Sequence, residues 1–170
     1  MELVGIDQAV KDNLYKMAAS SLCSTVSGQI MTSLMVRGPR PGDESYKSHE
    51  AEKSAIFDSL KRRSQIVSSG LDAIPGFSCQ PARGAMYCFP SVQFPQGVLD
   101  AAKVKGVAPD GLYCLSLLQK TGICVVPASG FGQKQGRYGF RTTFLPSERD
   151  MSEAIDRIRE HYAEFCSEFE

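Results

Sequence analysis

The sequence predicts a mixed α/β domain, or an α+β domain, in which a small sheet is covered by long helices. Two observations predict this class. Long stretches near both ends of the chain repeat apolar residues with the period of a helix, and short apolar runs bounded by glycine and proline lie between them. The 170 residues are 42% hydrophobic and 22% charged, which is ordinary for a globular chain of one domain or slightly more.

The first two predicted helices cover residues 7–20 and 22–36. Asp7 is a candidate N-cap for the first helix, because its side chain can accept a hydrogen bond from a backbone N–H of the first turn. Apolar residues recur at every fourth position of the second helix, at Leu22, Val26, Ile30 and Leu34. The segment 37–42 holds two prolines and two glycines, so it ends the helix and is the best candidate for a linker.

A third helix is predicted over residues 44–72, and Pro75 with Gly76 ends it. A short strand at 77–79 follows. A stronger strand at 84–92 carries apolar side chains at both odd and even positions, which predicts that both of its faces are buried.

A further helix is predicted over residues 110–120, then a buried strand over 122–126 and another strand over 137–145. The last helix begins after Ser147, its predicted N-cap, and Asp150 stands at the capping-box position. Its apolar stripe consists of Met151, Ala154, Ile155, Ile158, Tyr162, Phe165 and Phe169.

Charge and motif content exclude several function classes. The chain has 19 basic and 19 acidic residues and no basic block, which argues against nucleic acid as its main partner. No apolar run approaches the roughly 20 residues that span a bilayer, so no membrane partner is expected. Zinc-site spacings, the nucleophile turn of α/β-hydrolases and the glycine-rich phosphate loops are absent, and we predict no metal site. The two histidines, His49 and His161, are predicted to be solvated.

Six cysteines, at positions 23, 79, 88, 114, 124 and 166, lack CxxC spacing and mostly stand in apolar runs. Free cysteine behaves as a small hydrophobe in such runs. We therefore expect reduced, largely buried thiols and a cytoplasmic protein, since disulfides are rare in reducing compartments. An organellar location stays open.

Arg141 is the residue whose surroundings say most about function. On the predicted strand it shares one face with Gly139 and Thr143. The opposite face, expected to be the core side, carries Tyr138, Phe140, Thr142 and Phe144. Glycine and a short threonine leave room around the guanidinium, which can bind a carboxylate through two parallel hydrogen bonds. On spacing alone the alternative is an exposed arginine in a surface salt bridge.

Three motifs carry a resemblance to a known family. They are GAMYCFP at 84–90, TGICVVP at 121–127 running into SGFGQ at 129–133, and FRTTFLP at 140–146. In this order and spacing the chain resembles the C-terminal part of the alanine aminotransferases, which are pyridoxal-phosphate-dependent aminotransferases of fold type I. The resemblance covers essentially the whole chain. Ala128 departs from it, because relatives usually carry glycine there.

The resemblance implies a division of the chain. Residues 1–40 are expected to be a helical remnant of the large cofactor-binding domain, and residues 41–170 the small C-terminal domain that closes over the substrate. None of the nine lysines stands in the family's Schiff-base motif. The chain is therefore expected to be a fragment, with that lysine upstream of Met1 and with no catalytic or cofactor-binding residue of its own. By family position, Arg141 is expected to bind the substrate α-carboxylate.

For the full-length parent, the resemblance implies transfer of an amino group from L-alanine to 2-oxoglutarate, giving pyruvate and L-glutamate. Pyridoxal 5'-phosphate is the implied cofactor and a homodimer the implied assembly. The fragment alone is expected to be inactive and not to bind the cofactor stably. The alternative function is a non-catalytic module for carboxylate binding and subunit contact. A plain interaction domain, with a coincidental strand motif, is a third hypothesis.

Overall fold

A computed structural model describes residues 3–169 of the chain. The chain divides into two compact units, one ending at Ala51 and the other beginning at Glu52. The described part contains six α-helices and a small antiparallel sheet, so the predicted mixed class is confirmed. None of the helices in this part of the chain is both long and apolar enough to cross a membrane.

The first unit contains helices α1 (Gln8–Ala19) and α2 (Val26–Val36). Asp7 caps α1 as predicted, because its carboxyl accepts a hydrogen bond of 2.9 Å from the N–H of Ala9. Helix α2 begins four residues later than predicted, since Thr25 caps it through a 3.3 Å bond from the N–H of Gly28. Neither helix buries a residue, although both are described in full.

Four further helices follow. Helix α3 (Tyr46–Asp72) matches the prediction and buries residues near its C-terminal end. Helix α4 (Gln96–Lys105) was not predicted, whereas α5 (Pro109–Thr121) was. Helix α6 (Glu148–Ser167) buries Met151, Ile155, Ile158 and Phe165 of its predicted stripe. Ser147 caps this helix by accepting a 3.2 Å bond from the N–H of Asp150.

The sheet has five short strands. They are β1 (Phe77–Ser78), β2 (Tyr87–Cys88), β3 (Ser91–Val92), β4 (Val126–Pro127) and β5 (Tyr138–Thr143). All pairings are antiparallel: β2, β3 and β4 each pair with β5, and β1 pairs with β3. Strands β2 and β3 keep the same register on β5, so the predicted strand at 84–92 is one ladder interrupted at Phe89 and Pro90. Pro90 interrupts it because proline has no N–H to donate.

The large buried side chains of the sheet lie on one of its faces. Cys88, Val92, Phe140 and Phe144 are buried on the side of the helices. On the other side Tyr87, Phe89 and Val126 are exposed. The expectation that 84–92 is buried on both faces was therefore wrong: it suits a parallel sheet covered on both sides, and this sheet is antiparallel with one open face.

The same alternation corrects the predicted buried strand at 122–126. Val125 is buried, but Cys124 and Val126 are exposed, and strand pairing begins only at Val126. Cys23 is exposed as well, so the six thiols are not all buried. No disulfide links them.

The core of the second unit lies between the helices and the inner face of the sheet. Fully buried aromatic and aliphatic side chains from α3, α5, α6 and β5 meet there: Leu71, Tyr113, Leu117, Phe140 and Phe165. Phe140 stacks on Tyr113 with 6.2 Å between ring centroids, so the inner face of β5 packs against α5.

Candidate functional site

Arg141 stands in the middle of β5, opposite Val126 of β4. Its strand neighbours Phe140 and Phe144 are buried, at 0% and 3% exposure, as the alternation predicted. Arg141 itself is half-buried and shares the open face with Thr143. The strand therefore directs the guanidinium away from the core.

Two aromatic rings enclose the guanidinium. The Cζ atom of Arg141 lies 4.7 Å from the ring centroid of Tyr87 and 4.8 Å from that of Phe131. Tyr87 is brought there by β2, where it pairs directly with Thr143 and so shares its face. Phe89 supports Phe131 edge-on, with 5.5 Å between the ring centroids. Both cation–π contacts hold the guanidinium beside the rings without using its N–H donors.

Those donors have no acidic partner among the residues that the structure describes. Within residues 3–169, Arg141 takes part in no ion pair and no side-chain hydrogen bond. The alternative of a surface salt bridge is therefore not realised in this part of the chain. A guanidinium held beside two rings, with no side-chain hydrogen bond or ion pair within residues 3–169, is suited to bind a planar carboxylate from outside.

Gly139 has a different role from the one that the sequence suggested. We expected it to leave space beside Arg141, but Gly139 is buried beneath the neighbouring strand. A Cβ atom at this position would collide with the carbonyl oxygen of Pro90. Glycine is thus required for the close approach of the 89–90 interruption to β5.

Phe131 comes from a short 3-10 turn, Ala128–Phe131, hereafter the 128–131 turn. Ala128 anchors one end with 1% exposure, and Gly132 ends the turn at a φ of 68°. The N–H of Ser129 donates a 2.8 Å hydrogen bond to the Oδ2 atom of Asp110. Asp110 is fully buried in the first turn of α5.

Sequence reasoning identified Arg141 and missed Tyr87, Phe131 and Asp110. The glycine-flanked Phe131 was correctly taken as part of a turn, but nothing in its neighbourhood indicates which residue its ring contacts. Tyr87 could have been found from the register of the two strands, because Tyr87 and Arg141 then fall on one face. Asp110 gave one signal: an acidic residue in an otherwise apolar segment.

The two histidines are not both solvated. His161 is buried, with 2% exposure, so the prediction for it was wrong. Its Nε2 atom lies 2.9 Å from the hydroxyl of Ser116, and its ring stacks on Phe165. Burial lowers the pKa of His161, and Lys120 lowers it further. His49 is half-buried, 3.4 Å from Glu50.

No lysine of the chain has the surroundings expected of a lysine that binds pyridoxal phosphate. A lysine that binds a carbonyl must lose its charge, which requires burial or a nearby cation. Of the nine lysines Lys11 is half-buried and the others are exposed. The pKa of Lys120 is raised by its hydrogen bond to Glu168, which is the opposite of what such a lysine needs.

Comparisons with curated proteins and with solved structures both find aminotransferases. No protein-family model matches the chain. It is 44% identical over 169 residues to a probable mitochondrial alanine aminotransferase of Dictyostelium discoideum, covering 99% of the chain and 32% of the relative. Alanine aminotransferase 2, mitochondrial, of Arabidopsis thaliana is 43% identical, with 99% and 31% covered. Glutamate–glyoxylate aminotransferase 1 of the same plant is 41% identical, with 99% and 35% covered.

Solved structures give the same result. The chain is similar to an alanine aminotransferase from Pyrococcus furiosus with a TM-score of 0.67 and 26% identity, covering 91% of the chain and 34% of that structure. An aspartate aminotransferase from Rhizobium meliloti matches with a TM-score of 0.54 and 25% identity over 76% of the chain and 29% of that structure. The chain spans about a third of the length of the curated relatives that it matches.

Proposed function

We propose that the chain is the substrate-closing part of a longer, pyridoxal-phosphate-dependent enzyme of the alanine aminotransferase family. The parent would exchange an amino group between L-alanine and 2-oxoglutarate as a homodimer. In this proposal residues 1–40 belong to the large domain and residues 41–170 form the small one. The free cysteines favour a reducing compartment, for which we propose the cytoplasm.

Arg141 is proposed to bind the α-carboxylate of the substrate. Alanine, glutamate, pyruvate and 2-oxoglutarate all carry a carboxylate beside the reacting carbon, so one guanidinium serves both half-reactions. Binding through two parallel hydrogen bonds fixes the direction of the carboxylate and, through it, the position of the reacting carbon. The observation that supports this role is a guanidinium that contacts two aromatic rings and has no side-chain hydrogen bond or ion pair within residues 3–169.

The cofactor and its lysine are proposed to be held by the remainder of the parent. The exposure of the lysines in this chain supports that division. The 170-residue chain by itself would then bind carboxylates without catalysing transfer, which is the second candidate function. A visible absorbance band that depends on both this chain and added pyridoxal phosphate, and that shifts on adding alanine, would contradict this.

Substitution of Arg141 in the parent tests the assignment. Arg141→Lys keeps the charge but loses the planar pair of donors. A charged hydrogen bond is worth ~1.5–3 kcal/mol, so kcat/KM for alanine should fall by roughly one to two orders of magnitude. Ethylamine lacks the carboxylate, and its slow single-turnover rate should not change. Arg137→Lys is the matched control, because Arg137 is an exposed arginine just before β5.

The ratio of kcat/KM for alanine to the single-turnover rate with ethylamine decides the outcome. A ratio in the Arg141→Lys variant equal to that of the Arg137→Lys control would remove Arg141 from the site. A loss of both rates together with a lower melting temperature would make Arg141 a structural residue.

Glyoxylate should be compared with 2-oxoglutarate as the amino acceptor, since the chain is nearly as similar to a glutamate–glyoxylate aminotransferase.

A further inference from the structure

We propose that Asp110 is a positioning residue for the carboxylate site: it fixes the 128–131 turn, and through that turn it holds the ring of Phe131 against the guanidinium of Arg141. The proposal rests on the carboxylate-binding role proposed above for Arg141. Asp110 itself lies in the core and is not placed to touch a substrate.

Asp110 is unusual in being an acidic side chain with 0% exposure. Its Oδ2 atom accepts the hydrogen bond from the N–H of Ser129, 19 residues further along the chain. Its Oδ1 atom has no hydrogen-bond partner among residues 3–169. Burying a carboxyl group is costly, so the single hydrogen bond that Asp110 accepts within residues 3–169 indicates its structural effect. This bond ties the start of α5 to the 128–131 turn.

The turn needs such a tie because Phe131 is not held by burial. Phe131 is 42% exposed, and within residues 3–169 its aromatic and cation–π contacts are those with Phe89 and Arg141. Phe89 is itself 40% exposed. The backbone of the turn, held by Ala128 and by the bond from Ser129 to Asp110, must therefore set where this ring stands.

The two rings that enclose Arg141 are supported differently. Tyr87 belongs to β2, and strand pairing with β5 fixes its backbone. Phe131 belongs to the turn, which is fixed by Asp110. Loss of the Asp110 bond should thus leave Tyr87 in place and free the ring of Phe131. The guanidinium of Arg141 can then turn away from the orientation in which it binds a carboxylate.

The test uses the parent enzyme and the ratio of kcat/KM for alanine to the single-turnover rate with ethylamine. Asp110→Ala should lower this ratio roughly ten-fold, since small misplacements of a positioned group cost up to about a hundred-fold. Asp110→Asn keeps an oxygen that can accept from Ser129, and should stay within about three-fold of the wild type. Phe131→Leu removes the ring and should lower the ratio roughly two- to five-fold.

Asp72→Ala is the matched control. Asp72 also accepts a backbone hydrogen bond, 2.9 Å from the N–H of Cys79, but away from the turn. It should leave the ratio unchanged whatever it does to the melting temperature. A merely structural role for Asp110 would lower both rates in Asp110→Ala and would leave the ratio at the value of the Asp72→Ala control, which overturns the proposal.

Combining Asp110→Ala with Arg141→Lys separates this inference from the proposed function. If Asp110 acts through Arg141, the double variant should have nearly the ratio of Arg141→Lys alone. Ratios that multiply would show that Asp110 acts independently, and the inference would fail. A wild-type ratio in Arg141→Lys itself would instead overturn the proposed function. A lowered ratio there, with wild-type ratios in Asp110→Ala and Phe131→Leu, would overturn only the inference.

Discussion

Thiol exposure in this chain varies residue by residue with the strand faces and helix positions. Cys23 and Cys124 are exposed, whereas Cys79, Cys88 and Cys114 are buried. Burial raises the pKa of Cys114 to about 12, which keeps it in the unreactive thiol form. The pKa of Cys79 is raised by its hydrogen bond with Cys88 and by burial, and the same hydrogen bond lowers the pKa of Cys88.

A thiol titration of the native chain should therefore find two fast equivalents. Cys124→Ser should remove one of them, and the matched variant Cys114→Ser should remove none, because access and thiolate content both favour the exposed thiol. The remaining thiols should react fully only after denaturation. Four or more fast equivalents in the native chain would contradict the burial of the core cysteines.

His161 makes stability depend on pH. Its folded pKa lies below the ordinary value of 6.5, chiefly through burial and then through Lys120, while Glu164 and Glu168 oppose this. A group with a depressed folded pKa contributes stability above its unfolded pKa and loses it as the pH falls. The free energy of unfolding should thus decrease as the pH falls below about 6.5. Between the unfolded and the folded pKa of His161 the decrease is up to ~1.4 kcal/mol for each pH unit.

Urea titrations between pH 7.5 and 5 check this dependence on His161. His161→Phe should flatten the loss of stability at acid pH, since phenylalanine does not titrate. Ser116→Ala should keep the loss, because it removes the 2.9 Å partner but leaves the buried imidazole. An equally steep loss in His161→Phe would assign the pH dependence to carboxyl groups instead.

The site could be predicted from sequence as far as local geometry determines it. The side-chain alternation along β5 was enough to place Arg141 on the open face and Phe140 and Phe144 on the core face. The ring of Phe131 and the carboxyl of Asp110 depend on contacts between segments far apart in sequence, which no local pattern encodes. His161 was misjudged for the same reason: it lies off the stripe of α6, but α5 covers it through Ser116.

At the scale of elements, the 89–90 interruption of the sheet depends on a close approach of two backbones. Gly139→Ala should destabilise the second unit by about 1–3 kcal/mol, because its Cβ collides with the carbonyl oxygen of Pro90. Gly111→Ala is the matched control. A Cβ there would meet only Ala108, at 4.0 Å, and alanine favours the helix by ~1 kcal/mol. Equal melting temperatures for the two variants would mean that the strands can move apart.

Elements with strong caps or long periodic stripes were the predictable ones. Helix α6 combines the Ser147 cap with a long stripe, and its start was predicted correctly. Helix α4 was missed because Pro95 stands at its N-cap without a side-chain hydrogen bond and Gly97 weakens its first turn. Gly97 is explained only by packing, since a Cβ there would collide with the carbonyl oxygen of Phe169.

At the scale of the whole molecule, the two units differ in how their apolar residues are covered. The second unit buries its stripes in a continuous core. Helices α1 and α2 leave theirs exposed: Met17 is 70% exposed, Ile30 55% and Leu34 64%. Such faces require a partner. In the proposed parent, that partner is the rest of the large domain, to which residues 1–40 are assigned.

Because most helical stability comes from packing of an apolar face, α1 and α2 should be less stable than α6 in the isolated chain. Native-state hydrogen exchange measures this directly. Amides of α1 and α2 should exchange close to the rate of an unfolded peptide, and those of α6 around Ile155 and Ile158 should exchange only with global unfolding.

The measurement should be repeated over a hundred-fold range of protein concentration, because a second copy could cover the exposed faces. Protection of α2 that is equal to that of α6 at every concentration would contradict the prediction. Protection that rises with concentration would show that α1 and α2 are stabilised by association.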